Sequence, residues 1–355
     1  MDQSQHEASR IGASPPGAVS TSAPGAATGL SAAWQAGGRY FEWVSPLPEN
    51  HGRKVKVFHT RAGDEHKPAI VLVHGFPTSS FDFRPLFELL RDDFHVCALD
   101  FPGFGLSDKP VDGFVYSLSQ DAQLLWDFIS GVLGLQECIV FSHDRGDSVV
   151  LRFLQLYQAA ATRPFVLRHH FLTNANLYLP LANLTTFQKA MLDPVGSAAA
   201  VTRVTPQLLA EGLGETQYSP PLAASDPEVQ ALAEHFAFGN GVQVLPATIQ
   251  YLNERKKFEV GFLASLAASD VPATLIWGAH DMVSPLRVAH HVWDHALAGR
   301  ASPASYWLLP CANHYLVHDQ PRALAQLVRA ELAAPLAAPA NLTTDACSPV
   351  LVDRH

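Results

Sequence analysis

Between Lys54 and Ala333, short β-rich runs alternate with longer helical patterns, and that alternation restricts the possible folds more than any other feature. KVKVFHT (Lys54–Thr60) alternates with period two, whereas AIVLVH (Ala69–His74), FHVCAL (Phe94–Leu99), CIVF (Cys138–Phe141), PATLIW (Pro272–Trp277) and SYWLL (Ser305–Leu309) are short apolar stretches. Helical patterns lie between them, at Phe83–Asp92, Leu118–Leu133, Asp147–Gln158, Pro285–Ala298 and Arg322–Ala333. Strands joined through helices of this length require crossovers, so the expected class is α/β, with a mostly parallel, doubly wound sheet.

The stretch from Leu177 to Phe262 breaks the alternation and reads as a helical cap inserted over the strand ends. The expected division is a disordered tail over 1–33, core over 34–176, cap over 177–262, core over 263–335 and a flexible tail over 336–355. The early residues, rich in Ser, Ala, Pro and Gly, carry too little large apolar surface to offset the entropy of ordering. Elsewhere the 48% apolar and 16% charged composition supports a substantial core.

Charge and spacing narrow the partners. The net charge is −9 and the longest basic run is Arg255-Lys256-Lys257, which argues against nucleic acid and anionic membranes as partners. No apolar stretch is long enough to span a bilayer, and the N-terminus lacks a secretory apolar segment, so the expected location is cytoplasmic. The four cysteines, Cys97, Cys138, Cys311 and Cys347, lie far apart and are expected to be reduced, mostly buried thiols. The seventeen histidines show no metal-ligand spacing, and no flavin or nucleotide motif is present, so no metal and no cofactor is expected. Oligomeric state is not legible.

The chemistry gathers in three places. In SHDRGDSVV, Asp144 follows the strand CIVF and opens a helix, flanked by the small residues Ser142 and Gly146 that a sharp strand-to-helix turn requires. Asp281 follows PATLIWG, and His314 follows the last strand in LLPCANHYLVHDQP. Nucleophile, acid and histidine each after a separate strand can converge at the carboxyl edge of one sheet. His318 is the rival to His314. The backbone N–H groups of Phe76, in HGFP, and of Arg145 are the expected oxyanion donors. Singly, each acid reads equally as a helix cap, and the histidine as a buried structural one.

A carboxylate attacking an acyl carbon gives a reactive anhydride. Against an sp3 carbon bearing a leaving group it gives a stable alkyl ester, which a histidine-activated water then cleaves. The expected substrates are therefore small hydrophobic epoxides or halides.

Residues Lys54 to Pro335 resemble the epoxide hydrolase and haloalkane dehalogenase branch of the α/β-hydrolases through HGFPTSS, DFPGFGLSDKP, SHDRGD, WGAHD and NHYLVHDQP. They are most similar to the mesoderm-specific transcript-like hydrolases, which share HGFPTSS, SDKP, an SHDxGD elbow and a QYxNxRKKF stretch, here Gln250–Phe258. The resemblance implies substrate contacts at Phe76, Arg145 and Tyr251, the last matching a cap tyrosine that protonates an opening epoxide. Tyr178 and Tyr218 are candidates for a second such tyrosine. Haloalkane dehalogenases carry halide-binding Asn and Trp where this chain has Phe76 and Arg145; fluoroacetate dehalogenases carry a second Arg where it has Ser148. Asp147 reads as a first-turn helix charge or a partner for Arg145. Epoxide opening is the expected activity, with a haloacid or haloalkane dehalogenase, or a non-catalytic binding protein of the same fold, as alternatives.

Overall fold

The computed structural model describes residues 29–50, 52–333 and 345–355. Among these residues nine strands form one sheet: β1 Gly38–Val44, β2 Lys54–Ala62, β3 Ala69–Val73, β4 His95–Leu99, β5 Glu137–His143, β6 Val166–Thr173, β7 Ala273–Gly278, β8 Ala304–Leu309 and β9 Val350–Arg354. Their order is β1-β2-β4-β3-β5-β6-β7-β8-β9, parallel from β4 to β8 and antiparallel at both margins. Every residue of β3, β4 and β7 is buried. Helices cover both faces of the parallel strands, so these runs are continuously apolar rather than alternating.

From β3 the chain crosses to β4 on one side, while β5 lies on the other. That reversal of winding opens a crevice beyond the carboxyl ends of β3 and β5. His74, the turn after β3, and Asp144, the turn after β5, stand at its edges.

Between β6 and β7 the chain makes a helical excursion, ending in the helix Tyr251–Ala267. This helix runs unbroken across residue 262, where the expected cap boundary lay. It packs against the helix Arg145–Ala159 that follows Asp144, which ties the excursion to the turn carrying the candidate nucleophile.

Two margins differ from expectation. Gly29–Ala36 is helical and buries Trp34 against Phe81 and Phe87, so the expected N-terminal tail ends earlier than residue 33. Residues 1–28 and 334–344, the remainder of the expected tails, lie outside the described residues. Within the expected C-terminal tail, β9 pairs with β8, and Arg354 reaches the buried Glu331. A disulfide joins Cys311 to Cys347, correcting the expectation of four reduced thiols. These cysteines are 36 residues apart but meet because β9 returns the chain beside the loop after β8. Cys97 and Cys138 are buried free thiols. No helix among the described residues is long and apolar enough to cross a membrane.

Candidate active site

Asp144 sits at φ 51° and ψ −116°, a conformation that L residues rarely adopt. Its neighbours make this turn possible by lacking side chains. A Cβ on Gly146 would lie 2.2 Å from the Val73 carbonyl oxygen, and one on Gly75 would lie 2.8 Å from the Asp144 Cβ. The small residues seen in the sequence thus allow β3 and the Asp144 turn to touch through backbone.

The turn aims the carboxylate at the loop after β3. Phe76 N–H donates to Asp144 Oδ2 at 2.9 Å, while Oδ1 accepts no hydrogen bond among the described residues. Arg145 is the first residue of its helix, so its N–H has no intrahelical acceptor and belongs to the positive end of the helix dipole.

His314 and Asp281 meet across the ends of β7 and β8. His314 Nδ1 lies 2.8 Å from Asp281 Oδ2, and both side chains are buried. Asp281 is fixed from three sides, with Oδ1 accepting the Val283 and Ser284 amides and Oδ2 the Asn174 side-chain amide, each at 2.8 Å. On the far side, the His314 carbonyl lies 2.9 Å from His143 Nε2. Burial opposes a charge on His314, but the ion pair and hydrogen bond to Asp281, helped by the charges of Asp144 and Asp82, outweigh it and raise its pKa to about 9. With Nδ1 committed to Asp281, Nε2 is the nitrogen left for chemistry. The rival His318 lies edge-on to Tyr218 and has no bond to Asp281.

Arg145 departs from its expected role in one respect. Its guanidinium is buried and paired with Asp121, on the helix Leu118–Asp127, rather than with Asp147. It also lies over the rings of Phe104 and Tyr251, at 4.9 and 5.5 Å. This side chain is therefore already neutralised by the protein. Asp147 does stand in the first turn of its helix, but it is fully buried and accepts from Ser142 Oγ, and burial raises its pKa well above the usual carboxylate range.

Tyr251 packs beside the site, its ring 5.8 Å from that of Phe76 and 5.1 Å beneath the Arg255 guanidinium. Its hydroxyl is buried and has no hydrogen-bond partner among the described residues. Burial and the Asp144 charge raise its pKa, keeping the phenol protonated, while Arg255 and Arg145 pull the other way. Of the two further tyrosines, Tyr178 stacks on His291 at 3.9 Å, whereas Tyr218 stacks at 4.7 Å on Tyr315, whose ring in turn lies 5.3 Å from that of His314.

Several residues of the site were not singled out in the sequence, although Arg255 stands inside the QYxNxRKKF stretch. Asn174 follows β6 and orients Asp281; Asp121 neutralises Arg145; Arg255 donates to Ser148 Oγ at 2.5 Å and to the Asp144 carbonyl at 3.4 Å. Asn174 could be found only by first recognising β6, whose end lies level with that of β5.

A slot of about 20 Å3, bordered by Phe76, Pro77 and His314, leads to this cluster. It shares Thr185, Phe187, Leu213, Gln217 and Val283 with a wider cleft of about 480 Å3. Among the described residues no group of three His, Cys, Asp or Glu is placed to hold a metal ion.

Comparison with known proteins supplies the lineage. A family model described as "Alpha/beta hydrolase family" matches residues 70–327. The protein LipZ of Mycobacterium tuberculosis is 32% identical over 293 residues, covering 82% of this chain and 94% of that protein. The mesoderm-specific transcript homolog protein of Homo sapiens is 30% identical over 258 residues, covering 71% and 73%. Haloalkane dehalogenase 2 of Mycobacterium tuberculosis is 28% identical over 276 residues, covering 74% and 86%. Among solved structures, a thermophilic esterase from Thermogutta terrifontis superposes with a TM-score of 0.65 at 18% identity, covering 83% of this chain and 98% of that one.

Proposed function

The chain belongs to the alpha/beta hydrolase family and is a hydrolase of that fold, and from this premise we propose that it opens epoxides through a covalent ester on Asp144. The observation that carries the proposal is the identity and setting of the elbow residue, a carboxylate held by the Phe76 amide and neighbouring the His314–Asp281 pair. With Oδ2 engaged, Oδ1 is the oxygen that attacks the less hindered epoxide carbon. The C–O bond of the ring breaks, and the departing alkoxide takes a proton from Tyr251, whose buried hydroxyl has no partner among the described residues.

The second half uses the same groups in new roles. Esterification removes the Asp144 charge, one of those that hold His314 protonated. The imidazole then gives up its proton more readily and accepts one from water, which attacks the ester carbonyl carbon. Oxyanion charge develops on the former Oδ2, which already accepts the Phe76 N–H; the Arg145 N–H, at the helix start, is the second donor. Collapse breaks the acyl C–O bond as the imidazolium protonates the leaving alkoxide. The diol departs, the proton that His314 first released returns Tyr251 to its phenol, and the new carboxyl group gives its last proton back to His314, restoring Asp144.

A single turnover in 18O-labelled water tests the route. Label in the Asp144 carboxylate is the expected result; label confined to the diol would sink the covalent intermediate.

Halide displacement is the second reading, favoured by the similarity to haloalkane dehalogenase 2. It needs donors for a departing halide. Phe76 and Arg145 offer none in their side chains, since one is a hydrocarbon and the other is paired with Asp121.

A further inference from the structure

We propose that the outer cleft is a binding site for an unbranched apolar chain that ends in a carboxylate, the anion being held at Arg203, so that the substrates are terminal epoxides of medium-chain acids. This rests on the reading of Asp144 as the nucleophile that opens epoxides.

The shape of the approach limits the reacting end. A cleft of about 480 Å3 falls within the roughly 300–1,000 Å3 range of small-molecule sites. It narrows to a slot of about 20 Å3 between Leu213, Val283 and Gln217 before reaching Phe76 and His314. Only a slim end, such as an epoxide at a chain terminus, passes such a throat, and the rest of the molecule stays in the cleft.

The lining decides what that remainder is. Phe187, Val204, Leu208, Leu209, Leu213 and Met282 make it predominantly hydrocarbon, and Leu208 and Met282 remain 59% and 69% exposed at its mouth. A run of methylenes would cover this surface, releasing its water.

Arg203 is the one charged residue lining the cleft, and its guanidinium has no ion pair or side-chain hydrogen bond among the described residues. The other arginines close to the site, Arg145 and Arg255, are committed to Asp121 and Ser148. In a chain of net charge −9, a lone cation on an apolar rim selects for an anion over a neutral end. A planar guanidinium matches a carboxylate in two-point geometry.

The test uses the full chain and two kinds of probe. Decanoate and 1-decanol, which carry no epoxide, are titrated calorimetrically, and 9,10-epoxydecanoic acid is compared with 9,10-epoxydecan-1-ol in turnover. Decanoate should bind about threefold to fivefold more tightly than decanol at low salt, the range of an exposed ion pair, and kcat/KM should favour the epoxy acid by a similar factor. High salt and Arg203→Ala should each abolish the preference, and Arg203→Glu should reverse it. Leu208→Asp, at an exposed position, should weaken both ligands. Equal binding of acid and alcohol, a preference that survives Arg203→Ala, or no binding of either chain would overturn the proposal. Preferential decanoate binding lost in Arg203→Ala, without any epoxide opening, would uphold the site and reject the proposed reaction instead.

Discussion

Replacing Asp281 with Asn should flatten the alkaline side of the stability profile. In the native protein the His314 pKa is raised from its ordinary value of 6.5 to about 9, because the Asp281 ion pair and hydrogen bond overcome the opposing cost of burial. A pKa raised on folding contributes stability that is fully present below pH 6.5 and is lost as pH rises through 9. At about 1.4 kcal/mol per pH unit, the shift amounts to about 3 kcal/mol. Asparagine can still accept the Val283 and Ser284 amides through its oxygen, but it offers His314 no charge. Burial then dominates and drops the imidazole below its ordinary value, removing the loss between pH 6.5 and 9. Other groups titrate nearby. Burial raises Glu254 and Asp319 to about 7, so their losses are largely complete by pH 7; burial lowers Lys109 to about 8, which makes stability rise above pH 8. Glu254 and Lys109 interact with neither His314 nor Asp281, so they cancel in the difference between native and variant; Asp319 feels the His314 charge, which lowers its pKa, and adds a smaller change of its own. Urea unfolding followed by tryptophan fluorescence at pH 6, 7, 8, 9 and 10 measures that difference. The native-minus-variant stability should fall by about 3 kcal/mol across the series; a difference that stays flat or rises would refute the assignment of His314 and Asp281 as a charged pair.

Tyr251→Phe should slow epoxide opening by about 100-fold or more while leaving any halide displacement nearly unchanged, read by single-turnover formation of the Asp144 ester. Gly146→Ala should cost about 3 kcal/mol, because the new Cβ meets backbone oxygen at 2.2 Å and no side chain can yield; the urea midpoint reports it. Arg145→Met should destabilise by about 3–5 kcal/mol by leaving Asp121 buried without its partner. The double variant Arg145→Met/Asp121→Leu should recover most of that, which a double-mutant cycle reads directly. Cys347→Ser should lower stability by about 4 kcal/mol from loop-closure entropy over 36 residues, and added reductant should bring the native protein down to the variant's midpoint without moving the variant.

The sheet was legible where its strands are buried on both faces. AIVLV, HVCAL and ATLIWG announce themselves because helices on either side remove every polar position. β1 and β6 were not read as strands, since GRYFEWV and VLRHHFLT place charged and histidine side chains within the element. Asp144, Asp281 and His314 could be placed because each follows a recognisable strand, which fixes its end of the sheet. What could not be read was pairing at a distance. Asp121 meets Arg145 across 24 residues, and Asn174 meets Asp281 across 107, through helix and sheet packing that leaves no local spacing. The disulfide escaped for the same reason: β9 had to be recognised before Cys347 could be brought beside Cys311.

Arg145 shows how such a hidden pairing changes the functional reading. In the sequence, an arginine directly after the candidate nucleophile distinguishes among related chemistries, because an unpaired guanidinium there would draw a substrate carboxylate to the reacting atoms. In the fold, Asp121 takes that charge and the rings of Phe104 and Tyr251 cover it. Freeing it would strand a buried aspartate at a cost larger than an exposed ion pair with substrate returns. An anion is therefore disfavoured at the elbow, where it would also face the Asp144 carboxylate. Discrimination moves outward to the slot between Leu213 and Val283 and to Arg203 at the cleft, which has no ion pair among the described residues. Changing Arg145 should then act mainly on folding, whereas changing Arg203 should act on which molecule is bound.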